Sequence, residues 1–275
     1  MSSNQSLNVD CFPVDRSRLM KLCKHITFFY NENLKGRLKY LNQVLQVTKT
    51  YDFETHIFIH TNKEGNFDLS LVDGETLCIE IIYHDLSEVH PYFLTWKSRD
   101  LMKKQKDIYD IFMYVEDDIL VRNETIHYWL QHKNALLSRN FNLGFVRIET
   151  DQNKIEFATD IDEHFYEKTT IENREYVIDT GSKYCAMWIL DKEEFSKFID
   201  SDFYNLCNIH CITNPNMSRE KSAWGLNDPG IKWYSNVLIP LQNGFLHPDS
   251  RIYHLPNNYI DHEVFASIRF ENLVA

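Results

Sequence analysis

Three consecutive acids, Glu116-Asp117-Asp118, follow the apolar run IYDIFMYV (108–115), and Ile119-Leu120-Val121 comes directly after them. Like charges crowded at the end of a buried strand repel one another, and desolvation raises their pKa values. A divalent cation is the simplest offset. Hard Mg²⁺ or Mn²⁺ takes one or two protein carboxylates and fills its shell with phosphate oxygens and water. An acidic turn capping the following helix is the plain alternative. The apolar residues on both sides favour a metal and diphosphate site at the carboxyl end of a sheet.

Other chemistry-bearing residues carry less. Cys207, His210 and Cys211 suggest zinc, but no second C-x-x-C or H-x-H pair completes four ligands. His164 among Asp160, Asp162 and Glu163 reads as an acidic surface turn. Trp224 and Trp233, in a polar glycine-containing region, are the aromatics best placed to stack on a ligand ring, although most aromatics here will be core.

The acids need a scaffold. HITFFY (25–30) reads as a strand buried on both faces, and it runs into Asn31-Glu32-Asn33, a helix-capping cluster. Leu34, Leu38, Leu41 and Leu45 then form one helical stripe. HIFIHT (56–61) and TLCIEIIYH (76–84) are further strands. Residues 91–106 form a helix with a basic face, and IYDIFMYV is the strand that delivers the acids. A helix capped at Asn123 follows. FVRI (145–148) and KYCAMWIL (183–190) read as strands and Lys192 to Ile199 as a helix, whereas 200–235 is polar and 236–260 irregular. Strands alternating with helices imply a largely parallel sheet, which binds ligands at its strands' carboxyl ends. No repeat or linker shows. The reading is one domain, with an arm (1–23), a first half (24–140) and a second half (141–275) that elaborates it.

Composition sets limits. The 275 residues suffice for a sizeable core, and 43% are apolar. A net charge of −11 argues against a nucleic-acid partner. The basic stretch Arg16 to Lys24 suits a solvated helix face better than an anionic membrane surface. No apolar run reaches membrane-spanning length, and MSSNQSLNVD lacks the order of a signal peptide. Six scattered cysteines in mainly apolar surroundings suit reduced thiols. The expectation is a cytoplasmic protein, at most peripheral on an inner membrane face, whose three glycosylation sequons go unused.

The run YDIFMYVEDDILV, set beyond a first strand and helix, resembles the D-x-D element of GT-A glycosyltransferases, and the resemblance spans residues 24–260 in element order. It implies an α/β, Rossmann-like GT-A fold with a mostly parallel central sheet flanked by helices, and a nucleotide-sugar held through Mn²⁺ or Mg²⁺. On this resemblance residues 24–140 bind the nucleotide-sugar and 141–275 the acceptor, with Trp224 and Trp233 as the acceptor-site aromatics. By position, Glu116 matches the first acid, facing ribose or metal-bound water, and Asp118 the direct metal ligand, with Asp117 between them. Glutamate departs from the commonest residue at the first position. Asn31 at the end of the first strand joins this nucleotide-binding set. The resemblance also implies a basic residue near the donor phosphates on the preceding helix, a place Arg99 fills with Lys97, Lys103 and Lys104 as competitors. It implies a C-terminal histidine ligand, which His254 in RIYHLPNNY (251–259) supplies, with His247 and His262 as rivals. An inverting transfer needs a base on the acceptor hydroxyl. Glu220, about a hundred residues past the acids and read as lying at a helix start, is the first candidate and Asp228 the second.

The expected function is transfer of a sugar from a nucleoside-diphosphate donor, UDP favoured, to a glycan, lipid-linked or protein acceptor. A catalytically silent module of the same fold and a metal-dependent phosphoesterase are the alternatives.

Overall fold

The computed structural model describes residues 19–32, 36–65, 77–181, 184–205, 215–228, 230–260, 262 and 265–275. In chain order the elements are β1 (Lys21–Phe28), α1 (Arg37–Thr48), β2 (Glu54–Thr61), β3 (Cys78–Tyr83), α2 (Ser98–Lys104), β4 (Ile111–Glu116), β5 (Ile119–Leu120) and α3 (Asn123–Leu137). There follow β6 (Asn142–Leu143), β7 (Val146–Thr150), β8 (Glu156–Ala158), β9 (Lys168–Ile171), β10 (Arg174–Asp179), β11 (Met187–Asp191) and α4 (Lys192–Ile199). The last are α5 (Pro215–Trp224), β12 (Val237–Gln242), β13 (Phe245–Leu246), β14 (Arg251–His254) and β15 (Ile268–Arg269). The chain is mixed α/β.

Among the described residues the central sheet has the order β11-β4-β1-β2-β3. β1 to β4 run parallel, and β11 pairs antiparallel with β4. Every residue of β4 is buried, as is all of β1 beyond Lys21, which is what near-continuous apolar runs require. Successive side chains point to opposite faces, so each strand feeds two cores. Leu22, Ile26 and Phe28 of β1 pack with Leu41, Val44 and Leu45 of α1. Cys23 on the other face joins Met102 of α2 and Phe195 and Phe198 of α4.

The chain steps outward from β1 to β2 and β3, then returns past β1 to lay down β4 on its far side. Strand order therefore reverses between β1 and β4. In open α/β sheets the crevice at such a reversal is where ligands bind.

Two further sheets build the second half around a third core that includes Val146, Ile148, Val177, Ile239 and Phe270. One has the order β13-β12-β10-β9 with β6 beside β12, the other β15-β8-β7-β14-β5. Within the latter, β14 pairs antiparallel with β5, setting His254 opposite Ile119. β7 runs parallel to β14.

Several sequence expectations shift. β1 starts at Lys21, inside the stretch read as an arm. The helix expected over 91–106 is a 3-10 segment (Pro91–Trp96) followed by the short α2. Arg122, not Asn123, is the N-cap of α3, and the Asn123 amide donates to Asp52 at 2.7 Å instead. The polar stretch 200–235 holds α5, and the irregular stretch 236–260 holds β12, β13 and β14. Helix α4 matches its expected bounds and is fixed by an Asp191–Glu194 capping box. Among the described residues no helix is long and apolar enough to cross a membrane. Cys23 and Cys185 are buried free thiols and Cys78 is exposed.

A row of histidines crosses the sheet. His25 Nδ1 lies 2.8 Å from His60 Nε2, His60 Nδ1 lies 2.8 Å from His84 Nε2, and His25 Nε2 lies 3.0 Å from Gln105 Oε1. With Gln105 accepting, every Nε2–H donates and every inner Nδ1 accepts, so the row is satisfied with neutral rings. Burial drives His25 down to about 3 and His60 well below its ordinary value, while burial and then Lys97 lower His84. The unfolded chain takes up protons below about pH 6.5 that the folded one refuses. Stability from this row is therefore complete above that pH and declines as pH falls toward the folded values. Moving from pH 7 to pH 5 is expected to cost about 2 kcal/mol through His25 alone. Urea denaturation of the wild type and His25→Asn at both pH values measures this, because the variant should lose about that much less on acidification. An identical acid increment in the two proteins would contradict the assignment.

Candidate functional site

The acidic triad sits where strand order reverses. Glu116 ends β4 opposite Thr27 of β1, and the Asp117 N–H donates to the Thr27 carbonyl at 3.2 Å. Asp117 and Asp118 form the turn into β5, and the Leu255 N–H donates to the Asp118 carbonyl at 3.0 Å. All three acids are buried, so each needs a counter-charge or a donor. Glu116 Oε1 accepts from the Tyr184 hydroxyl at 3.1 Å. Asp117 is gripped by Arg37, with Nε to Oδ2 at 2.9 Å and Nη2 to Oδ1 at 2.5 Å. Asp118 Oδ2 lies 3.0 Å from Arg37 Nη2 and 3.6 Å from His254 Nε2.

His254 is fixed from behind. Its Nδ1 lies 2.5 Å from Glu149 Oε1, and the Glu149 side chain is wholly buried. The same carboxylate accepts the N–H groups of Asn258, Tyr259 and Ile260 at 3.2, 2.8 and 3.0 Å. One acid at the end of β7 thus orients the imidazole and pins the turn after β14. Arg147, also on β7, is held by Asp160 through two contacts of 2.7 Å and lies 5.0 Å from the Tyr184 ring.

The three carboxyls are not alike. Burial, with the Asp118 charge adding to it and Arg219 opposing, raises Glu116. Burial and the Asp118 charge also push Asp117 up against the pull of Arg37. Burial works the same way on Asp118, but contacts with His254 and Arg37 outweigh it and hold this carboxyl below its ordinary range. Asp118 is therefore the firmly ionised member. Burial opposes protonation of His254, while Asp118 and Glu149 more than compensate and raise it.

Asp118 and His254 fit a divalent cation. An ionised carboxylate oxygen and an imidazole nitrogen stand side by side, a donor pair that suits Mn²⁺. The carboxylate behind the ring is the arrangement that fixes histidine ligands at metal centres. No group of three or more His, Cys, Asp and Glu positioned for a metal occurs among the described residues. Two protein donors leave the remaining positions to phosphate and water, as Mg²⁺ and Mn²⁺ sites with phosphate ligands commonly do.

Beside the triad opens a cleft of about 430 Å³, lined by residues including Thr27, Phe29, Arg37, Tyr92, Glu116 and Arg219. This volume falls within the range of small-molecule sites. The Arg219 guanidinium lies 5.5 Å from the Tyr92 ring centre, and its charge faces Glu116. It makes no ion pair within 4 Å among the described residues, and its Nε is buried without a hydrogen-bond partner there. The cleft therefore offers cationic, acidic and aromatic surfaces together.

The remaining expected site residues lie elsewhere. Arg99 is a correction: it is buried, donates to the carbonyls of Phe203, Tyr204 and Ser222 at 2.6–3.0 Å, and stacks 4.1 Å from the Trp96 ring. It ties α2 to α5. Lys97, Lys103 and Lys104 are exposed. Glu220 sits within α5, not at its start, and Arg219 is the α5 residue that lines the cleft. Asp228 accepts the Gly230 N–H at 2.7 Å, shaping a turn outside the cleft. Trp224 lines a tiny internal void with Trp129, Met187 and Trp188, and Trp233 packs on the second core beneath Lys197. Neither tryptophan lines the cleft; Tyr92 and Phe29 do. Asn31 lies in the loop after β1. His247 caps a 3-10 turn through the Asp249 N–H, His262 lies beside Phe265, and His164 is exposed. Cys207, His210 and Cys211 lie outside the described residues.

Arg37, Glu149, Tyr184 and Arg219 were not anticipated. Arg37 had a signal, since it opens the helix that starts at the carboxyl end of β1. Glu149, one residue beyond FVRI, had a weaker one: an acid still within strand reach of an apolar run. Tyr184 and Arg219 are placed by long-range pairing that local pattern does not carry. No protein-family model matches the chain, and no curated protein matches it.

Proposed function

We propose that this chain is a metal-dependent glycosyltransferase with a Rossmann-like GT-A fold, transferring a sugar from a nucleoside-diphosphate donor to a carbohydrate, lipid-linked or protein acceptor. The observation that carries this reading is the pairing of Asp118 with His254 at the carboxyl end of β4, at a strand-order reversal and beside a cleft. Parallel strands in the order β3-β2-β1-β4 support the fold assignment, because they repeat the first half of the doubly wound arrangement.

In this reading Asp118 and His254 hold Mn²⁺ or Mg²⁺, which when bound neutralises charge on the departing diphosphate. Glu116, steadied by Tyr184, receives the ribose hydroxyls. Asp117 anchors Arg37, and Arg219 presents a cation to the phosphates. Tyr92 and Phe29 form the apolar walls against which a base or sugar ring lies. The acceptor hydroxyl attacks the anomeric carbon, the bond from that carbon to the phosphate oxygen breaks, and the hydroxyl proton passes to a base.

One observation favours a second reading, a nucleotide-binding module without turnover: neither Glu220 nor Asp228 lines the cleft. Isothermal titration with UDP, GDP and CDP sugars, with and without Mn²⁺, separates the readings when combined with a donor-hydrolysis assay. Metal-dependent binding together with slow hydrolysis is the expected result. Metal-dependent binding without any hydrolysis selects the silent module, and absence of nucleotide binding removes both.

A further inference from the structure

Arg37 is the first residue of α1, and its guanidinium closes over the acidic turn. The two carboxylates it touches are held unequally. Asp117 receives two N–H groups in a fork that grips both oxygens, the stronger and more specific geometry. Asp118 receives one, at 3.0 Å, and only through Oδ2. That same oxygen lies 3.6 Å from His254 Nε2, on the side where the imidazole and carboxylate converge.

A cation shared by Asp118 and His254 and an arginine on Asp118 therefore compete for one oxygen. They also compete electrostatically, since two positive centres a few ångströms apart repel strongly in a partly buried site. Without some cation the buried triad would be three adjacent carboxylates facing one another, which burial makes costly. Arg37 supplies such a cation to Asp117 and Asp118. Its side chain is 30% exposed, against 4% and 7% for its partners, so the arginine has room to move while the acids do not. It also lines the cleft beside Arg219.

We propose that Arg37 is an exchangeable counterion: it pairs with Asp118 Oδ2, yields that oxygen when a divalent cation binds, and its guanidinium then swings toward an anionic group in the cleft. The proposal rests on the metal reading above. Asp117 is the tether of this exchange, because one of its two contacts with Arg37 can persist while the guanidinium rotates away from Asp118. Metal and nucleoside diphosphate then bind with positive coupling, since each stabilises the arrangement the other needs.

Mn²⁺ alone is the first probe, with free ion followed by electron paramagnetic resonance and UDP added in a second series against a protein-free control. The proteins are wild type, Arg37→Gln, Arg37→Lys, Asp118→Asn and the double variant Arg37→Gln/Asp118→Asn. Arg37→Gln is expected to bind Mn²⁺ about tenfold or more tightly than wild type in the absence of UDP. Its enhancement by UDP should shrink correspondingly. Arg37→Lys, which keeps the charge without the fork, should fall between the two and serves if the glutamine variant does not fold. The double variant should bind no Mn²⁺ at the site. Equal or weaker Mn²⁺ affinity in Arg37→Gln, with Asp118→Asn still abolishing binding, overturns the counterion role and leaves the metal assignment standing. Absence of Mn²⁺ binding by every protein, with and without UDP, overturns both.

Discussion

Asp118→Asn is expected to abolish metal-dependent nucleotide binding while the protein stays folded. Asp118 is the ionised member of the triad and supplies the charged oxygen beside His254. An amide keeps the shape and can still accept from Arg37, but it loses the charge that holds a divalent ion. Altering a neighbour of a metal ligand already costs 10–100-fold in affinity, so loss of the ligand itself should exceed about 100-fold. Stability should fall modestly, because the amide forfeits the attraction of Arg37 and His254 that holds the Asp118 carboxyl below its ordinary range. Calorimetry with UDP and Mn²⁺ gives the first quantity and thermal unfolding by circular dichroism the second. A folded Asp118→Asn protein with unchanged metal-dependent affinity would remove Asp118 from the site. Glu116→Gln should be milder, since a ribose hydrogen bond survives the change.

The second large effect concerns Glu149, which lies behind His254. Its carboxylate is wholly buried and serves His254 and three consecutive backbone N–H groups. Glu149→Ala leaves four donors without their acceptor. A stability loss of about 3–5 kcal/mol is expected, the cost of breaking a buried charged network from one side. Glu149→Gln separates packing from orientation. It preserves volume and one carbonyl acceptor but no longer fixes the His254 ring through a charge, so Mn²⁺ affinity should fall 10–100-fold even where the fold survives. Urea denaturation and Mn²⁺ titration of the two variants provide the comparison. Wild-type Mn²⁺ affinity in folded Glu149→Gln would show that His254 is not positioned by this contact.

These residues also show what the amino-acid sequence reveals unaided. The central sheet was legible because buried parallel strands are written as unbroken apolar runs, and the acids were legible because charge directly after such a run is costly without a purpose. The second half was harder to read. Its strands are short and many pair across long separations, so β12 and β14 look irregular until their partners are known. The same limit explains the basic residue. Arg99 satisfied a positional expectation, yet its helix turns it into the core toward carbonyls. The cations that reach the cleft come from α1 and α5, one at a helix start and one inside a stretch read only as polar. Glu220 failed its helix-start expectation for a related reason, since α5 begins earlier at Pro215.

The pairing of β5 with β14 bears on how the molecule is assembled. Glu149 and His254 are 105 residues apart, and Asp118 precedes both. During synthesis the acids therefore emerge well before the histidine that pairs with Asp118. Closing so long a loop adds little to the thermodynamic cost, which grows only logarithmically with length, but contacts of such separation form late. On the metal reading proposed above, an ion at Asp118 and His254 would stabilise only chains in which β14 has docked beside β5, and by mass action it would draw the population toward them. Metal availability in the cell would then act during maturation as well as at turnover. It would favour correctly closed molecules over those with an unpaired β5 edge, the kind of edge that invites association with a neighbour.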